Sequence, residues 1–531
     1  MEEFQCPIFH PEKCTNENNI TGAMLRDLTR DRLIGMGIGE LDDQLKILDS
    51  IRKLWETQGK VFNDPIHGHI ELHPLLVKII DTPQFQRLRY LKQLGGAYYV
   101  YPGASHNRFE HSIGVGHLAG QLAEALRTRQ PELLITARDI LCVQIAGLCH
   151  DLGHGPFSHM FDNIFIAKTR PEKKWEHEEA SCDMFDHLVK RNKLEPVMRK
   201  YDLKLPEDLI FIKEMIAGPL KPNTAEGQWP YEGRPEDKSF LYDIVANKRN
   251  GIDVDKFDYF ARDCYHLGMQ NNFDHGRFIK FARVCEVDGL KQICTRDKEQ
   301  DNMYEMFHTR MCLHRRAYQH KVNKIIETMI TEAFLKADKH ILIEGSGGKM
   351  FTLSTAIDDM EAYTKLTDHV FEKILNSSDK TLAEARDILQ RIVSRNFYKF
   401  LGEIEKPTEV CTTNVITINN WKKELAQALP ERNGALTPED FEVLFITLNY
   451  GKKDKDPIKD LHFYSKYDTT KAFKMKVSRF RPMRFYEQSI RFYCKKTDDS
   501  TLVADQRCFD EWCTGKRFSK VSGRVEDGDQ N

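Results

Sequence analysis

Hydrophobic residues recur with helical spacing over most of the chain between residues 75 and 399. Segments such as "RDILCVQIAGLC" and "VNKIIETMITEAFLKA" place apolar side chains three or four residues apart, which is typical of helices with a buried face. Beyond residue 400 the pattern changes to short β-branched or aromatic runs between charged turns: "VITI", "FEVLFITLNYG", "LHFYSK" and "SIRFYCKK". The pattern predicts a mostly α-helical protein with a smaller α+β region towards the C-terminus.

Polar and turn-forming residues divide the chain into five segments. The first segment has no regular pattern, and the second consists of short helical runs separated by turns at Gly37 and Gly39. The final "GRVEDGDQN" has the composition of a disordered tail. We therefore predict an irregular N-terminus over 1–18, a small helical segment over 19–57, a helical core over 58–400, an α+β lobe over 401–515 and a disordered tail over 516–531.

Composition and charge narrow the class of protein. Of the 531 residues, 40% are hydrophobic and 30% are charged, which is typical of a globular protein. Because 78 Lys and Arg nearly balance 80 Asp and Glu, any anion-binding site must be a local cluster. No apolar run reaches the roughly 20 residues of a membrane helix, and the start does not resemble a signal peptide. The 13 cysteines lack CxxC pairing, so we expect reduced thiols in an intracellular protein without a membrane partner.

The stretch "GLCHDLGHGPFSHMFD", residues 147–162, places many imidazole and carboxylate groups directly after an apolar helical run. His150 and Asp151 are adjacent, and His154 should share a helix face with His150 because it lies four residues further on. The "GP" that follows predicts the end of this helix, with His159 in the next turn. Buried groups of this kind need partners. The stretch predicts either a metal and proton-transfer site or an unusually polar turn.

Two further residues complete a candidate ligand set for the adjacent pair. His111 lies in "NRFEHSIGVGHLAG" and Asp255 in "NGIDVDKFDYFARD". Two imidazoles and two carboxylates suit Fe, Mn or Zn and, less well, Mg. A lone histidine on an apolar helix is more often a hydrogen-bonded core residue. The adjacent His-Asp pair, with a histidine before it and an aspartate after it, favours a divalent transition metal site instead.

The four positions match the H…HD…D pattern of the HD-domain phosphohydrolases, with His111, His150, Asp151 and Asp255 as metal ligands. The surrounding segments closely resemble the SAM- and HD-domain-containing deoxynucleoside triphosphate (dNTP) triphosphohydrolases, from about residue 61 to beyond residue 490. The phrase "LIGMGI…LDDQLKILDSIRKL" resembles the second half of a sterile alpha motif (SAM) domain. The resemblance implies a helical HD-domain core preceded by a partial SAM-like segment.

The resemblance also implies an activity and the residues that perform it. A dNTP would be cleaved to deoxynucleoside and inorganic triphosphate by water attack at the α-phosphorus, with Mg²⁺ accompanying the nucleotide phosphates. His159 is our candidate for the general acid that protonates the leaving oxygen, and Asp162 is expected to orient it. The predicted catalytic residues are Arg108, His154, His159, Asp162 and His177.

A basic segment, residues 308–324, contains five Lys or Arg and no acid. A solvated basic helix is the usual explanation, but one helical stripe could face a nucleotide. Its residues are Arg310, His314, Tyr318 and Lys321. The resemblance implies that Leu94 and Tyr318 exclude a 2′-hydroxyl, whereas the 3′-hydroxyl is bound by Gln93 and Asp263. The predicted substrate-binding residues are Gln93, Leu94, Arg108, His154, His159, Lys256, Tyr259, Asp263, Arg310, His314, Tyr318 and Gln319.

The family is activated by GTP and dNTPs that bind between subunits and assemble a homotetramer. By resemblance, Asp81 is the natural partner of the guanine N1–H and N2–H edge, since a carboxylate accepts both hydrogens. Each cation of the set, taken singly, is equally well explained as an ordinary surface residue. The predicted regulatory nucleotide-binding residues are Lys60, Val61, Asn63, Asp81, Gln86, Arg89, Val100, Arg277, Arg296, Lys298, Asn302, His320, Lys321, Arg395 and Lys399.

Two alternatives to dNTP hydrolysis stay open at this stage. One is another HD-type nucleotide phosphodiesterase, in which the spare His154 and His177 would help to hold a second metal. The other is a nucleic-acid-binding scaffold with a vestigial pocket, and weak binding of single-stranded nucleic acid is also compatible with hydrolysis. The resemblance places the protein in the nucleus, the cytoplasm or both.

Overall fold

A computed structural model describes residues 30–35, 38, 40, 44, 59–221, 228–407, 415–428, 436–452, 454–476, 482, 484–497 and 499–521. The chain forms two compact units, Met1–Asp81 and Thr82–Asn531. The segment predicted to be irregular, 1–18, lies outside the described residues, and so does most of the SAM-like segment 19–57. No helix in the described ranges is both long and apolar enough to cross a membrane.

The described residues of the first unit form a β-hairpin and two short helices. Strands β1 and β2 pair antiparallel, with Lys60 opposite Leu72. Asp64 closes the turn because its Oδ1 accepts the backbone N–H groups of Ile66 and His67, at 2.8 and 2.9 Å. The elements are α1 (Arg30–Gly35), β1 (Lys60–Asp64), β2 (Gly68–Leu72) and α2 (Pro74–Ile80).

The second unit is built around a helical core, as the sequence pattern predicts. Helix α5 is buried along most of its length and packs against α4, which also contacts α10. The α-helices of the core are α3 (Pro83–Gln86), α4 (Arg108–Arg129), α5 (Ala137–Cys149), α6 (Ala167–Thr169), α7 (His177–Arg191), α8 (Glu195–Lys200), α9 (Glu207–Ala217), α10 (Val254–Leu267), α11 (His275–Phe281), α12 (Gln300–Leu313), α13 (Lys321–Ala337), α14 (Met360–Thr364), α15 (Val370–Leu375) and α16 (Ala383–Val393). Two π-helical segments, Phe161–Ile166 and His314–Tyr318, join α-helices.

Helix α5 ends earlier than the sequence predicts. Its last residue is Cys149, so His154 lies in the turn that follows and not on the helix face of His150. The Ser181 hydroxyl replaces the next helical bond, because it donates to the His150 carbonyl at 2.6 Å and accepts the Gly153 N–H at 2.8 Å. His159, expected in a turn, begins the helical segment that continues as the first π-helix.

The described part of the second unit contains two sheets of three or four strands, besides one two-stranded pair. Strands β3 (Arg283–Val287) and β4 (Leu290–Arg296) form a hairpin, and β4 pairs in parallel with β9 (Phe463–Tyr464), which pairs with β10 (Ala472–Phe473). The antiparallel strands β7 (Lys399–Glu405), β11 (Tyr486–Cys494) and β8 (Phe441–Asn449) form the other sheet. The short strands β5 (Ile343–Glu344) and β6 (Met350–Phe351) pair with each other. Strands therefore occur where three of the four β-type runs lie.

The fourth run, "VITI", is helical, so its strand prediction is wrong. It begins α17 (Val415–Gln427), whose Trp421 and Leu425 are buried one helical turn apart in the core beside β8 and β11. Packing of this apolar face outweighs the β preference of the first residues. Helix α18 (Asp499–Lys516) adds Phe509 and Trp512 to the same core.

The predicted disordered tail begins too early. The backbone N–H of Glu405 donates to Ser519 O at 3.1 Å, and that of Val521 donates to Glu403 O at 2.8 Å. Residues 519–521 are thus hydrogen-bonded to the edge of β7. Residues 522–531 lie outside the described part of the chain.

Candidate active site

Four side chains converge where α4, α5 and α10 meet, and we call them the ligand cluster: His111, His150, Asp151 and Asp255. Asp255 Oδ1 lies 3.1 Å from His111 Nε2 and 3.4 Å from His150 Nε2. Asp151 lies 3.4 Å from His111 Nε2 and 3.3 Å from His150 Nε2, through its two oxygens. Ligands that surround one ion at about 2.1 Å are separated by about 3.0–3.4 Å at octahedral or tetrahedral angles. The spacing therefore fits a single divalent ion.

The hydrogen bonds of both histidines prepare their Nε2 atoms for a metal. His111 Nδ1 bonds Asp258 Oδ2 at 2.7 Å, and His150 Nδ1 donates to the Gly147 carbonyl at 2.8 Å. Both Nε2 atoms are buried and make no well-directed hydrogen bond within the described structure. A partner on the far nitrogen fixes the tautomer and leaves the Nε2 lone pair for an ion. These residues fit the metal that the HD pattern implies.

The carboxylate of Asp258 is held in place by a buried arginine. Arg262 donates to both of its oxygens at 2.8 Å, and both side chains are fully buried. The pair lies against Gly114 on α4, where a Cβ atom would come within 1.9 Å of Asp258 Oδ1. Only glycine allows this approach. Asp258 and Arg262 were missed by sequence reasoning, although Asp258 follows Asp255 by three residues on α10 and hence lies on the same face.

Electrostatics also favour a cation at the ligand cluster. Burial alone would lower the pKa of His111, but the carboxylates of Asp255, Asp258 and Asp151 raise it to about 10. Burial would raise the pKa of Asp255, yet His111 and His150 hold it far below the ordinary value. The carboxylates thus favour positive charge on His111 and His150, a charge that a divalent ion would supply in place of the protons.

Three other histidines form a second group, the histidine cluster, which comprises His154, His159 and His177 with Asp162. The rings of His154 and His177 stack at 4.0 Å, and His159 meets both edge to face at 4.9 and 5.2 Å. Asp162 Oδ2 accepts a hydrogen bond from His177 Nδ1 at 2.8 Å but lies 3.9 Å from His159. The aspartate that was expected to orient His159 therefore orients His177.

Each imidazole in the histidine cluster has a different environment. His154 is buried beside Arg108, so both burial and that charge hold its pKa well below the ordinary value. Burial alone would lower the pKa of His177, but the bond to Asp162 and the charge of Glu178 raise it overall. His159 has 61% of its side chain exposed. The cluster thus combines three kinds of imidazole: His154 favours the neutral form, His177 favours the protonated form, and His159 is accessible to solvent.

Arg108 connects the two clusters. Its guanidinium donates to Asp151 Oδ2 at 2.7 Å, Ser158 Oγ at 3.0 Å and the Gln93 carbonyl at 3.2 Å. The same Asp151 lies 3.3 Å from His154 through its other oxygen. Arg108 therefore fixes the carboxylate of a ligand and also presents a positive charge at the cavity wall.

Both clusters open onto one cavity of about 450 Å³. This volume is within the range of small-ligand sites. Eleven of the twelve predicted substrate-binding residues line the cavity, together with Asp151, Asp255 and His177. Lys256 does not line it, because its ammonium bonds both oxygens of Asp253 at 3.2 Å. Lining residues that sequence reasoning missed are Phe157, Ser158, Asn163, Ile164, Asn323, Lys324 and Glu327.

Another part of the cavity wall combines an acidic and a basic group. The Tyr318 hydroxyl donates to Asp263 Oδ2 at 2.6 Å. Arg310 bonds the backbone and side-chain oxygens of Asn449, at the end of β8. Burial and the neighbouring Arg310 lower the pKa of His314 to about 3, so this imidazole is neutral. Arg310, His314 and Tyr318 line the cavity as the helical stripe predicts, although the stripe crosses from α12 into a π-helix. Lys321, the fourth residue of the predicted stripe, does not line the cavity.

The fifteen predicted regulatory residues lie on several elements, and none of them is buried. Lys60, Val61 and Asn63 belong to β1 and Asp81 follows α2, all in the first unit. In the second unit, Arg277 pairs with Glu299 at 2.7 Å, and a carboxylate oxygen of Glu299 also accepts from Asn302. The others are Gln86, Arg89, Val100, Arg296, Lys298, His320, Lys321, Arg395 and Lys399. Their accessibility is compatible with ligand binding, and their role stays a prediction.

Comparison with known proteins agrees with the site. Residues 108–262 match the family model of the HD domain. The chain is 62% identical to the deoxynucleoside triphosphate triphosphohydrolase SAMHD1 of Danio rerio over 521 residues, which cover 97% of this chain and 83% of the relative. It is 57% identical to the protein of the same name from Homo sapiens, with the same coverage, and 38% identical to the SAMHD1 homolog of Dictyostelium discoideum, over 88% of this chain and 84% of the relative. The chain belongs to the SAM- and HD-domain-containing deoxynucleoside triphosphate triphosphohydrolase family.

Proposed function

We propose that the chain hydrolyses dNTPs to deoxynucleoside and inorganic triphosphate, with water attacking the α-phosphorus. The observation that carries the proposal is the position of the histidine cluster, which lies next to the ligand cluster and lines the same cavity. The names of relatives at 57–62% identity support the same activity. The ligand cluster would hold Fe, Mn or Zn, and Mg²⁺ would accompany the nucleotide phosphates. A divalent ion supplies an acidified water and polarises a phosphoryl oxygen when it is bound.

The protein's own groups would manage charge and protons around the α-phosphate. Arg108 and Arg310 line the cavity and present positive charge to the phosphates, where a buried charge is most effective. His159 remains our candidate for the proton donor to the leaving 5′-oxygen. The Asp162–His177 pair is the second candidate, because its imidazole retains a proton more readily than an ordinary histidine. Substituting each histidine by asparagine and comparing turnover across pH would distinguish them.

Four residues of the cavity wall would select the sugar. Asp263 has oxygens that can accept a hydrogen bond from the 3′-hydroxyl, and Gln93 lines the same cavity. Leu94 and Tyr318 line the cavity as well and would occupy the space that a ribose 2′-hydroxyl requires. A hydrophobic wall of this kind rejects the ribonucleotide by exclusion, and the four bases would be accepted alike.

Product analysis tests this proposal. The purified chain would be incubated with dATP, Mn²⁺ or Mg²⁺ and GTP, beside a variant carrying His150→Ala and Asp151→Ala. Deoxyadenosine and intact triphosphate in equal amounts, absent with the variant, are expected. Phosphate or pyrophosphate as the primary product would instead place the attack at another phosphorus. If the folded, metal-loaded chain produced no turnover, the interpretation as a scaffold with a vestigial pocket would gain support.

We also propose activation by GTP and dNTPs through assembly of a homotetramer. The support is the match of fifteen accessible residues to the family's regulatory positions. Asp81 is exposed, as a guanine-reading carboxylate must be. Sedimentation with and without GTP should show the tetramer only with nucleotide, and Asp81→Asn should abolish the assembly that GTP induces. Asp202→Asn, at another exposed aspartate, is the control. If the parent chain showed the same oligomeric state with and without GTP, the proposal would be refuted.

Two minor proposals accompany this function. Weak binding of single-stranded nucleic acid has a candidate surface in a second cavity of about 650 Å³, whose lining includes Arg315, Arg316, Lys406 and Arg484. Affinity for an oligonucleotide should then fall steeply with salt. We further propose that the protein resides in the nucleus, the cytoplasm or both, which imaging of a fluorescently tagged chain would test.

A further inference from the structure

His106 lies between the two side chains to which the proposed function assigns the sugar 3′-hydroxyl. Its Nε2 is 2.7 Å from Asp263 Oδ1, and its backbone carbonyl accepts the N–H of Gln93 at 3.0 Å. Asp263 and Gln93 line the catalytic cavity, whereas His106 is not among the lining residues. A single residue behind the wall is therefore bonded to both groups that would read one hydroxyl.

The His106 ring is held in one orientation. Its side chain is fully buried and stacks on His266 with ring centroids 4.3 Å apart and planes 10° from parallel. The loop that carries it packs on the end of α10, since a Cβ atom on Gly103 would lie 2.2 Å from the His266 carbonyl oxygen. A carboxylate can only accept, so Nε2 carries the hydrogen and donates it to Asp263. His106 Nδ1 has no hydrogen-bond partner within the described residues, so Asp263 receives the ring's one directed bond.

The carboxylate of Asp263 is consequently held by two donors, one on each oxygen. His106 donates to Oδ1 and the Tyr318 hydroxyl donates to Oδ2 at 2.6 Å. A carboxylate offers about four acceptor positions, so two remain for a ligand hydroxyl. Two donors fix the plane of the group and hence the direction of those free positions. Without His106, Tyr318 alone would leave the plane free to rotate.

We propose that His106 is a positioning residue for recognition of the sugar 3′-hydroxyl. It fixes the carboxylate of Asp263 through its ring and the backbone of Gln93 through its carbonyl, and it does not touch the substrate. The inference rests on the proposed function, because it concerns how that site reads the sugar. It predicts that the contribution of His106 to catalysis depends on whether the substrate carries a 3′-hydroxyl.

A matched pair of variants and a matched pair of substrates test the proposal. His106→Phe keeps a ring that can stack on His266 but removes the N–H donor, whereas His106→Gln keeps an amide donor near the position of Nε2 and removes the ring. Each chain would be assayed for kcat and KM with dATP and with 2′,3′-dideoxyATP, which lacks the 3′-hydroxyl. Thermal unfolding and metal content would be measured on the same preparations.

With dATP, we expect His106→Phe to lose about tenfold to a hundredfold in kcat/KM, the size of a hydrogen bond to a charged group. With the dideoxynucleotide, His106→Phe and the parent chain should be equal, and His106→Gln should recover most of the activity on dATP. An equal loss on both substrates would show a general structural role, and no loss on either would show that the bond is dispensable; either result overturns the proposal. A parent chain that hydrolyses neither substrate would refute the proposed function itself, whereas one that hydrolyses both equally would refute only the inference.

Discussion

The ligand cluster and the histidine cluster use the same residue types within a few ångströms of each other, yet their environments differ. In the ligand cluster, His111 Nδ1 is hydrogen-bonded to Asp258, and His150 Nδ1 is hydrogen-bonded to the Gly147 carbonyl. In the histidine cluster, the rings contact one another, and one of them is largely exposed. A partner on Nδ1 does not by itself distinguish the clusters, since His177 has one in Asp162. The difference is that the Nε2 atoms of His111 and His150 face the carboxylates of Asp151 and Asp255, an arrangement suited to a metal, whereas the rings of the histidine cluster face one another.

The contact between the clusters is equally informative. Asp151 faces both groups, since one oxygen lies near His150 and His154 and the other is bound by Arg108. Despite this contact, removing a residue of the ligand cluster should change metal binding. Removing a residue of the histidine cluster should change proton transfer and leave the metal in place. Four substitutions test this separation, in decreasing order of their expected effect on activity.

Removal of a ligand should have the largest effect. His111→Ala deletes one of two imidazole donors, so we expect loss of the bound transition metal and at least about a thousandfold loss of dATP turnover. The metal would be quantified by mass spectrometry of the purified chain. His117→Ala, on the same helix α4, is the matched control and should retain both metal and turnover. Stoichiometric metal in the His111 variant would contradict the assignment of the ligand cluster.

Disruption of the Asp162–His177 pair should leave the metal in place. Asp162→Asn removes the carboxylate that helps to keep the pKa of His177 above its ordinary value. A raised pKa means that the protonated form persists to higher pH, so the variant should lose activity at lower pH than the parent chain. We expect about a hundredfold lower kcat, with the basic limb of the pH–rate profile displaced downward.

The metal content of this variant is the internal control. If Asp162→Asn retained an unchanged pH profile, His177 would not be the titrating group, and His159 would remain as the candidate. If the variant lost its metal, the proposed separation between the clusters would be wrong.

Weakening the hydrogen bond between Asp258 and His111 should reduce activity less than removing His111 itself. Asp258→Asn keeps the shape of the side chain but weakens the bond to His111 Nδ1, for which a tenfold to hundredfold loss of metal affinity is expected, about the usual size for such partners. It also removes the negative charge of Asp258 from beside the buried guanidinium of Arg262, which should destabilise the fold by about 3–5 kcal/mol. Excess Mn²⁺ should restore turnover, but the lowered unfolding midpoint should persist relative to the equally loaded parent. Unchanged metal affinity would show that the tautomer of His111 is fixed by other contacts.

The sequence predicted the parts of the site that follow a local motif. The adjacent His150 and Asp151 are a weak signal by themselves, and the flanking His111 and Asp255, which complete the family pattern, made the prediction of a metal site specific. The helical period also placed Arg310, His314 and Tyr318 on one wall, because α12 and the π-helix after it form a nearly continuous helical run. The mostly α-helical class was confirmed for the same reason, since long amphipathic runs dominate the chain.

The remaining features depend on contacts between distant segments. Whether α5 ends at Cys149 or continues to the Gly-Pro that follows is decided by Ser181 from α7, and the "VITI" run is helical because Trp421 and Leu425 pack on a sheet. Similarly, the bond from His106 to Asp263 joins residues that no spacing rule connects. Among these features, only the role of Asp258 could have been predicted from the sequence, because it lies one helical turn after Asp255.

The smallest effect on activity is expected from Asp368, which supports the turn between the clusters from outside the cavity. Its two oxygens accept the N–H groups of Phe157 at 2.7 Å and Lys92 at 2.8 Å. Phe157 and Ser158 both adopt positive φ angles, 59° and 56°, so the turn is held in a conformation that non-glycine residues rarely adopt. Asp368→Asn retains one acceptor oxygen, and we expect a change in dATP turnover of only a few-fold.

Stability should reveal the charge of Asp368 more clearly than turnover does. Burial raises the pKa of Asp368 to about 6, despite the two backbone N–H groups that favour the carboxylate. The folded protein therefore binds a proton more tightly than the unfolded chain, so this group's contribution to stability falls as pH rises from about 4 to above 6. The amide introduced by Asp368→Asn does not titrate, and the stability of the variant relative to the parent should rise by up to about 3 kcal/mol over that interval. Urea unfolding at pH 4 and pH 7.5 measures the difference, and Asp202→Asn should show no comparable change. A stability difference that is independent of pH would mean that Asp368 stays ionised in the fold, in which case the two N–H groups outweigh its burial.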